Sequence, residues 1–212
     1  MDVRQFWLMQ QLTFRNACAL AFITCATAPM AAYAAGCADT EPYYWQGGRR
    51  LAVYDKLVPL MTCRDYGNSV EQAMADATAC NWFVGRALHT GFGVIDFTPE
   101  GDGWKSANEI AAHVATSSDW ILLGSASEQA VLNDAGEAAS AGRPVIAVAS
   151  GNPHGHVALI LGGPLSASGG WGGRMVPNSA SLFIHKPASG YVGCKLSYAF
   201  AAPMGIKIYK RL

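Results

Sequence analysis

Apolar residues repeat along this chain with two different periods, and the change of period predicts where helices give way to strands. From position 80 onward they recur three and four residues apart, which is the spacing of one buried helix face. The members of this face are Cys80, Phe83, Val84, Ala87 and Leu88. Gly91 follows at a place where glycine commonly ends a helix. We therefore predict an amphipathic helix that Cys80 opens and Gly91 closes.

Two further helical patterns lie downstream. In "SANEIAAHVATS", Ser106 is a suitable N-cap and Glu109 stands three residues later, so the pair predicts a capping box. The segment "SEQAVLNDAGEAASAG" predicts another helix, which Gly142 closes. Most of the helical patterns thus precede the strand patterns.

The strand patterns lie in the second half of the chain. "WILLG" predicts a short strand. "RPVIAVAS" and "HVALILGG" are apolar runs that the turn residues "GNPHG" join, which predicts a β-hairpin. "RMVPNSASLFI" and "KLSYAFAAPMGIKIYKRL" predict the last strands. Helices followed by an antiparallel sheet indicate the α+β class.

The N-terminal segments follow neither period. Residues 1–34 place two arginines before the short apolar run "ACALAFITCATAPMAA", and small residues flank a cleavage site at Ala32-Tyr33-Ala34. This order predicts a secretory signal peptide, and hence a periplasmic or secreted protein; the alternative is an N-terminal core helix. Residues 35–65 are rich in Tyr, Gly, Arg and Pro and predict an irregular arm.

Attachment to a membrane is less favoured. Cys37 follows small residues as in a lipoprotein signal, but Ala34 stands where a leucine-like residue is usual. The apolar run of the leader is short and Pro29 interrupts it, so we predict no membrane span after signal removal. The formal net charge is +0 without a Lys/Arg run, so nucleic acid is not predicted as a partner either.

Four cysteines follow the predicted leader: Cys37, Cys63, Cys80 and Cys194. Export exposes them to oxidising conditions, where thiols pair, and the sequence allows three full pairings. If Cys80 is a working thiol, one disulfide remains. We prefer Cys37–Cys63 for it, with Cys194 either buried and reduced or paired with Cys63.

Cys80 and His156 suggest a nucleophile and its base. A cysteine in the first turn of a helix lies near unpaired backbone N–H groups, which favour the thiolate. His156 opens a core strand, where an imidazole could take the thiol proton. The structural alternative is an inert buried cysteine and a histidine at a strand edge. A zinc site formed by His154 and His156 with Cys80 or Cys194 has no supporting spacing, so neither metal nor cofactor is predicted.

Three segments resemble a known superfamily: "CNWFVGRAL", "WKSANEIAAH" and "AASAGRPVIAVASGNPHGHVALILGG". They are similar to the papain-like NlpC/P60 and CHAP amidohydrolases, and to the cell-wall amidase group that includes type VI secretion amidase effectors. In these enzymes a cysteine begins a helix and a Gly-His-Val strand follows, here from Gly155 to Ala158. The resemblance implies a papain-like catalytic domain over residues 66–212, with N-terminal helices packed on an antiparallel sheet.

The resemblance also implies an activity and a set of site residues. The activity is hydrolysis of amide bonds in peptidoglycan stem peptides through a cysteinyl acyl-enzyme. Asn178 is the candidate to orient His156, with His185 as an alternative, and the Cys80 backbone N–H is a natural oxyanion donor. The candidates for oxyanion or substrate binding are Tyr66, Trp82 and Trp171.

Two other functions stay open at this point. The same fold could hold peptidoglycan without cutting it, or it could run Cys-His acyl transfer instead of hydrolysis. The expected partners are a peptidoglycan peptide and, for a competition enzyme, an inhibitor or immunity protein.

Overall fold

The structure is a computed structural model that describes residues 45–46, 49–50, 52–62, 79–183 and 190–212. The chain divides into two units, Met1–Ala32 and Tyr33–Leu212, and every described residue belongs to the second. The predicted signal peptide lies outside the described residues, as do Cys37, Cys63, Tyr66 and His185.

Four α-helices lie in the described segments. They are α1 (Ala52–Thr62), α2 (Ala79–Phe92), α3 (Ala107–Thr116) and α4 (Gln129–Ser140). None of the helices in these segments is long and apolar enough to cross a membrane.

The strands form two sheets. A small antiparallel pair consists of β1 (Trp45–Gln46) and β2 (Arg49–Arg50). The main sheet contains β3 (Trp120–Ser125), β4 (Val145–Ala149), β5 (His156–Ser168), β6 (Arg174–Ser181), β7 (Tyr191–Lys195) and β8 (Ile206–Arg211). Its order is β3-β8-β4-β5-β6-β7, and every pairing is antiparallel. The predicted α+β class is confirmed.

Helix α2 begins as predicted but ends later. Its predicted face is buried, including Cys80 and Leu88. The helix runs to Phe92, and Gly93 turns the chain with φ +72°, donating its N–H to the His89 carbonyl at 2.9 Å. Gly91 lies inside the helix, where a Cβ would stand 3.1 Å from a methyl group of Val53. The prediction that Gly91 closes the helix is therefore wrong, because Gly93 takes the left-handed conformation that ends it.

The capping box and the hairpin are confirmed. Ser106 Oγ accepts from the Glu109 N–H at 3.2 Å, and Glu109 Oε2 accepts from the Ser106 N–H at 2.6 Å. Strands β4 and β5 pair from Val145 opposite Ile160 to Ala149 opposite His156. This register fixes which side chains of the hairpin share a face of the sheet.

Both faces of the main sheet are covered, and β5 shows the division. Val157, Leu159 and Leu161 belong to a core cluster that includes residues of α1, α2 and α3, and we call this side the three-helix face. Ala158 and Ile160 belong to a second cluster with residues of α4, and we call this side the α4 face. Since successive side chains of a strand point to opposite faces, odd positions at the start of β5 face three helices and even positions face one.

Part of the predicted irregular arm is ordered structure. The segment 35–65 contains the β1–β2 hairpin and all of α1. Tyr54 and Leu57 of α1 are fully buried on the three-helix face, and the Tyr54 hydroxyl donates to the Gly162 carbonyl at 3.1 Å. The segment shows too little periodicity for the sequence to reveal this helix, because burial of a few side chains against the sheet stabilises it.

Asp96 connects the C-terminal strand to the loop after α2. Its carboxylate accepts from Arg211 Nε and Nη2 at 3.0 and 3.1 Å, and from Trp120 Nε1 at 2.9 Å. Burial raises the pKa of Asp96, but these hydrogen bonds outweigh burial and leave the pKa below its usual value. The carboxylate thereby joins the paired strands β3 and β8 to the same loop.

Candidate functional site

Cys80 is the second residue of α2 and is 2% exposed. It keeps a thiol and takes no part in a disulfide. Its side chain belongs to the cluster on the three-helix face. Next to it, Asn81 Nδ2 donates to the Lys105 carbonyl, which links the start of α2 to the segment before α3. Cys80 is therefore a buried thiol in the first turn of a helix, as the sequence predicts.

His156 lies on the α4 face. Its backbone pairs with Ala149, which packs against the α4-face cluster. Its ring stacks on Phe183, with centroids 5.3 Å apart and planes at 3°, and meets Phe200 edge-on at 5.1 Å. His156 Nε2 is 2.9 Å from Ser181 Oγ, within hydrogen-bond distance. The imidazole is thus enclosed by aromatic rings and bonded to a buried serine.

Burial makes this imidazole a weak base. It lowers the pKa of His156 from 6.5 to about 4, because a charged ring is poorly solvated between two phenyl groups. At neutral pH the ring is uncharged. A general base works best with a pKa near the operating pH, so the environment of His156 favours a structural role.

The structure does not assemble Cys80 and His156 into a dyad. Val157, one residue after His156, faces the cluster that contains Cys80, so the histidine faces the other way. A thiol and its base must lie about 3 Å apart or be bridged by one water, whereas these side chains are on opposite faces of the sheet. This corrects the expectation that His156 reaches the Cys80 thiol.

Asn178 does not orient His156 either. It lies on β6 opposite Leu161 of β5, and paired residues share a face, so Asn178 is on the three-helix face. It is 1% exposed, and its Nδ2 donates to the Gly162 carbonyl at 3.4 Å. Asn178 and His156 therefore lie on opposite faces of the sheet, which excludes the predicted orienting contact.

Ser181 is the partner of His156 that the sequence analysis missed. Phe183 and Ser181 alternate with buried Leu182, and this period of two places them together on the α4 face. Ser179, on the same side of β6, lies 2.9 Å from the Tyr191 hydroxyl and donates to the Cys194 carbonyl at 3.1 Å. The alternation of serines in "PNSAS" is the signal that could have revealed this polar row.

Trp171 and Trp82, two of the candidates for oxyanion or substrate binding, are buried side chains of the two core clusters. Trp171 is 2% exposed, lies in a short 3₁₀ turn, and donates from Nε1 to the Phe200 carbonyl at 3.0 Å. Trp82 is 5% exposed and packs beside Trp104, with ring centroids 6.5 Å apart. The "GGWGG" segment is anchored by its tryptophan, because burying a large aromatic ring outweighs the freedom of the glycines.

Cys194 is disulfide-bonded, and its partner is not among the described residues. The alternative in which Cys194 is buried and reduced is therefore wrong. The preferred Cys37–Cys63 pairing falls outside the described residues and stays a prediction. In the described segments, no group of three His, Cys, Asp or Glu side chains could hold a metal ion.

Comparisons with known proteins add no assignment. No family model matches the sequence, and the search of curated proteins gives no significant match.

Proposed function

We propose that this chain binds the peptide stems of peptidoglycan without cutting them. The ligand class comes from the resemblance of the segments around Cys80 and His156 to papain-like cell-wall amidases. The α+β arrangement is compatible with that fold. The choice of binding over catalysis is carried by one observation, the placement of Cys80 and His156 on opposite faces of the sheet.

The physical reason is that the predicted chemistry needs contact. Transfer of the thiol proton to an imidazole requires direct hydrogen bonding or one bridging water. The packed side chains of Val157 and its neighbours occupy the Cys80 side of β5, and His156 is enclosed on the other side. Cys80 then acts as a small buried residue of the core, a common role for cysteine.

A sacculus assay tests this proposal. The protein without residues 1–34 is mixed with purified sacculi, sedimented, and the supernatant is analysed for muropeptides by mass spectrometry. We expect co-sedimentation without release of fragments, and the same behaviour for Cys80→Ala. Release of fragments that stops in Cys80→Ala would overturn the non-catalytic proposal. Absence of co-sedimentation would overturn the ligand class.

A cysteine amidohydrolase is the second candidate, and the state of Cys80 favours it. Cys80 keeps its thiol in a chain whose Cys194 is oxidised. Hydrolysis would then require a base other than His156. The exposed His154 is the candidate, because Asn108 Nδ2 donates to the Gly151 carbonyl at 2.9 Å and holds this loop beside α3.

Variants separate the two candidates. For the hydrolase, Cys80→Ala and His154→Gln abolish fragment release, while His156→Gln leaves the rate within about twofold, since a residue outside the machinery contributes little to it. An added amine distinguishes acyl transfer, because the acyl group would then appear on the amine. For the binding module, no variant changes the fragment pattern.

A further inference from the structure

Two buried donors stand out among the described residues because they have no hydrogen-bond acceptor: Nε1 of Trp82 and Nε1 of Trp104. The indole N–H groups of Trp120 and Trp171 donate to Asp96 and to the Phe200 carbonyl. An unmet buried donor costs about 1–3 kcal/mol, and native proteins contain few of them. The coincidence of two on neighbouring rings points to an acceptor that comes from outside the chain.

The packing of α2 brings the two rings together. Trp82 and Arg86 are one turn apart on α2, and Gly85 lies between them on the same side. A Cβ on Gly85 would stand 3.2 Å from Trp104 Cζ3, so the six-membered ring of Trp104 rests against the glycine. Nε1 lies at the other edge of the indole and therefore points away from that contact.

The geometry suits one small acceptor group. The ring centroids of Trp82 and Trp104 are 6.5 Å apart and the planes are inclined by 35°. A carboxylate that accepts one bond at each oxygen can bridge two donor atoms that lie at most about 8 Å apart. Trp104 is only partly buried, so the pair lies at the margin of the core, where a ligand can approach.

The donor-only chemistry of the pair favours an acceptor over a cation. Both indole groups are donors only, and the Arg86 guanidinium carbon lies 5.9 Å from the Trp104 ring centroid. Glu100 balances Arg86 at 3.6 Å, which leaves the surroundings near neutral. A carboxylate or an amide carbonyl is the group that these two N–H donors can hold.

We propose that Trp82 and Trp104 form a peptide-binding site whose indole N–H groups hold an sp² oxygen of the ligand, either its terminal carboxylate or a backbone carbonyl. The ligand class rests on the proposed function. The site itself rests on the two unmet donors and their proximity.

Indole NMR signals test the site directly. The protein without residues 1–34, which the sacculus assay also uses, keeps five of the chain's six tryptophans, so five indole N–H signals are expected, and Trp82→Phe and Trp104→Phe assign the two of interest. The probe is the peptide diacetyl-L-Lys-D-Ala-D-Ala. The same peptide with a C-terminal amide in place of the carboxylate is titrated in a parallel experiment. We expect both signals to move downfield with added peptide while that of Trp120 stays in place. A stronger effect of the acid identifies the carboxylate as acceptor, and equal effects identify a backbone carbonyl.

Affinity measurements complete the test. Each Trp→Phe change keeps most of the ring and removes one N–H, so it should weaken peptide binding about tenfold. The matched control is Trp120→Phe, whose N–H already has an acceptor in the protein and whose affinity should stay at the wild-type value. Trp104 is the more exposed of the pair, so its variant gives an answer even if Trp82→Phe does not fold. Unchanged affinity in folded Trp104→Phe overturns the site.

The site and the proposed function can fail separately. If the wild-type protein binds sacculi and folded Trp104→Phe binds them equally well, the site is wrong and the function stands. If sacculi are not bound but sodium acetate moves the Trp82 and Trp104 signals, the site stands and the ligand class is wrong. If peptide and acetate both leave the two signals in place, the site is wrong whatever the sacculus assay gives.

Discussion

His156 should make the protein sensitive to mild acid. Its folded-state pKa is about 4, whereas an unfolded histidine titrates near 6.5. The unfolded chain therefore binds the proton more readily, and protonation favours unfolding. Stability is fully present above pH 6.5 and is lost as the pH falls from 6.5 towards 4.

The size of the effect follows from the two pKa values. Between pH 7 and pH 5 the free energy of unfolding should fall by about 2 kcal/mol, and complete protonation would cost about 3 kcal/mol. Stopping at pH 5 limits the contribution of carboxylates such as Asp96, whose pKa lies below its usual value. The imidazole between Phe183 and Phe200 supplies the part of the pH dependence that a substitution of His156 removes.

Urea unfolding of the wild type, His156→Gln and His154→Gln at pH 7 and pH 5 measures this pH-dependent part of the free energy of unfolding. His156→Gln should be less stable than the wild type at both pH values, because it packs less well. The difference in its free energy of unfolding between pH 7 and pH 5 should nevertheless be smaller by about 2 kcal/mol, since glutamine does not titrate. His154→Gln is the matched control, because it removes an exposed histidine two residues away and should keep the wild-type difference. Equal differences in wild type and His156→Gln would refute the assignment.

Three further predictions test the packing and the cysteines. Asp96→Asn should lower the free energy of unfolding by about 2 kcal/mol, because charge-assisted hydrogen bonds weaken; a loss below about 0.5 kcal/mol in urea unfolding would contradict this. Gly85→Ala should destabilise by about 1–3 kcal/mol, since its Cβ would stand 2.5 Å from a backbone carbonyl oxygen. Gly91→Ala in the same helix is its control and should change stability by less than about 1 kcal/mol. Maleimide labelling of the unfolded, unreduced protein should modify Cys80 and spare Cys194 until a reductant is added; a labelled Cys194 before reduction would contradict the disulfide.

Much of the fold could be predicted because residues close together in the sequence determine many of its elements. The capping box needs only Ser106 and Glu109 at the right spacing, and the hairpin needs two apolar runs with turn residues between them. Helix α1 was missed because its stability comes from burial of Tyr54 and Leu57 against a sheet that follows it in the chain. Such long-range packing leaves little periodicity in the segment itself.

The candidate site could be predicted only one residue at a time. The sequence identified Cys80 as the opening of a helix, and the structure agrees. It could not show which face His156 takes, because "HVALILGG" is apolar at both odd and even positions. A strand that is buried on both faces lacks the alternation that would reveal the orientation of its first residue. A shift of the strand register by one residue exchanges odd and even positions and so moves every side chain to the other face.

Because the register decides the face, a chain can match the short motifs of a family without placing the matching side chains in one functional site. A Gly-His-Val segment supplies the same residue types whichever face the histidine takes. Chemistry depends on which cluster the imidazole enters, and here the rings of Phe183 and Phe200 enclose it while Val157 occupies the side of Cys80. The two indole donors without an acceptor do not depend on the register of β5, because Trp82 lies in α2 and Trp104 lies in the segment before α3. A ligand that these donors recognise could therefore bind this chain whether or not Cys80 ever acts as a nucleophile.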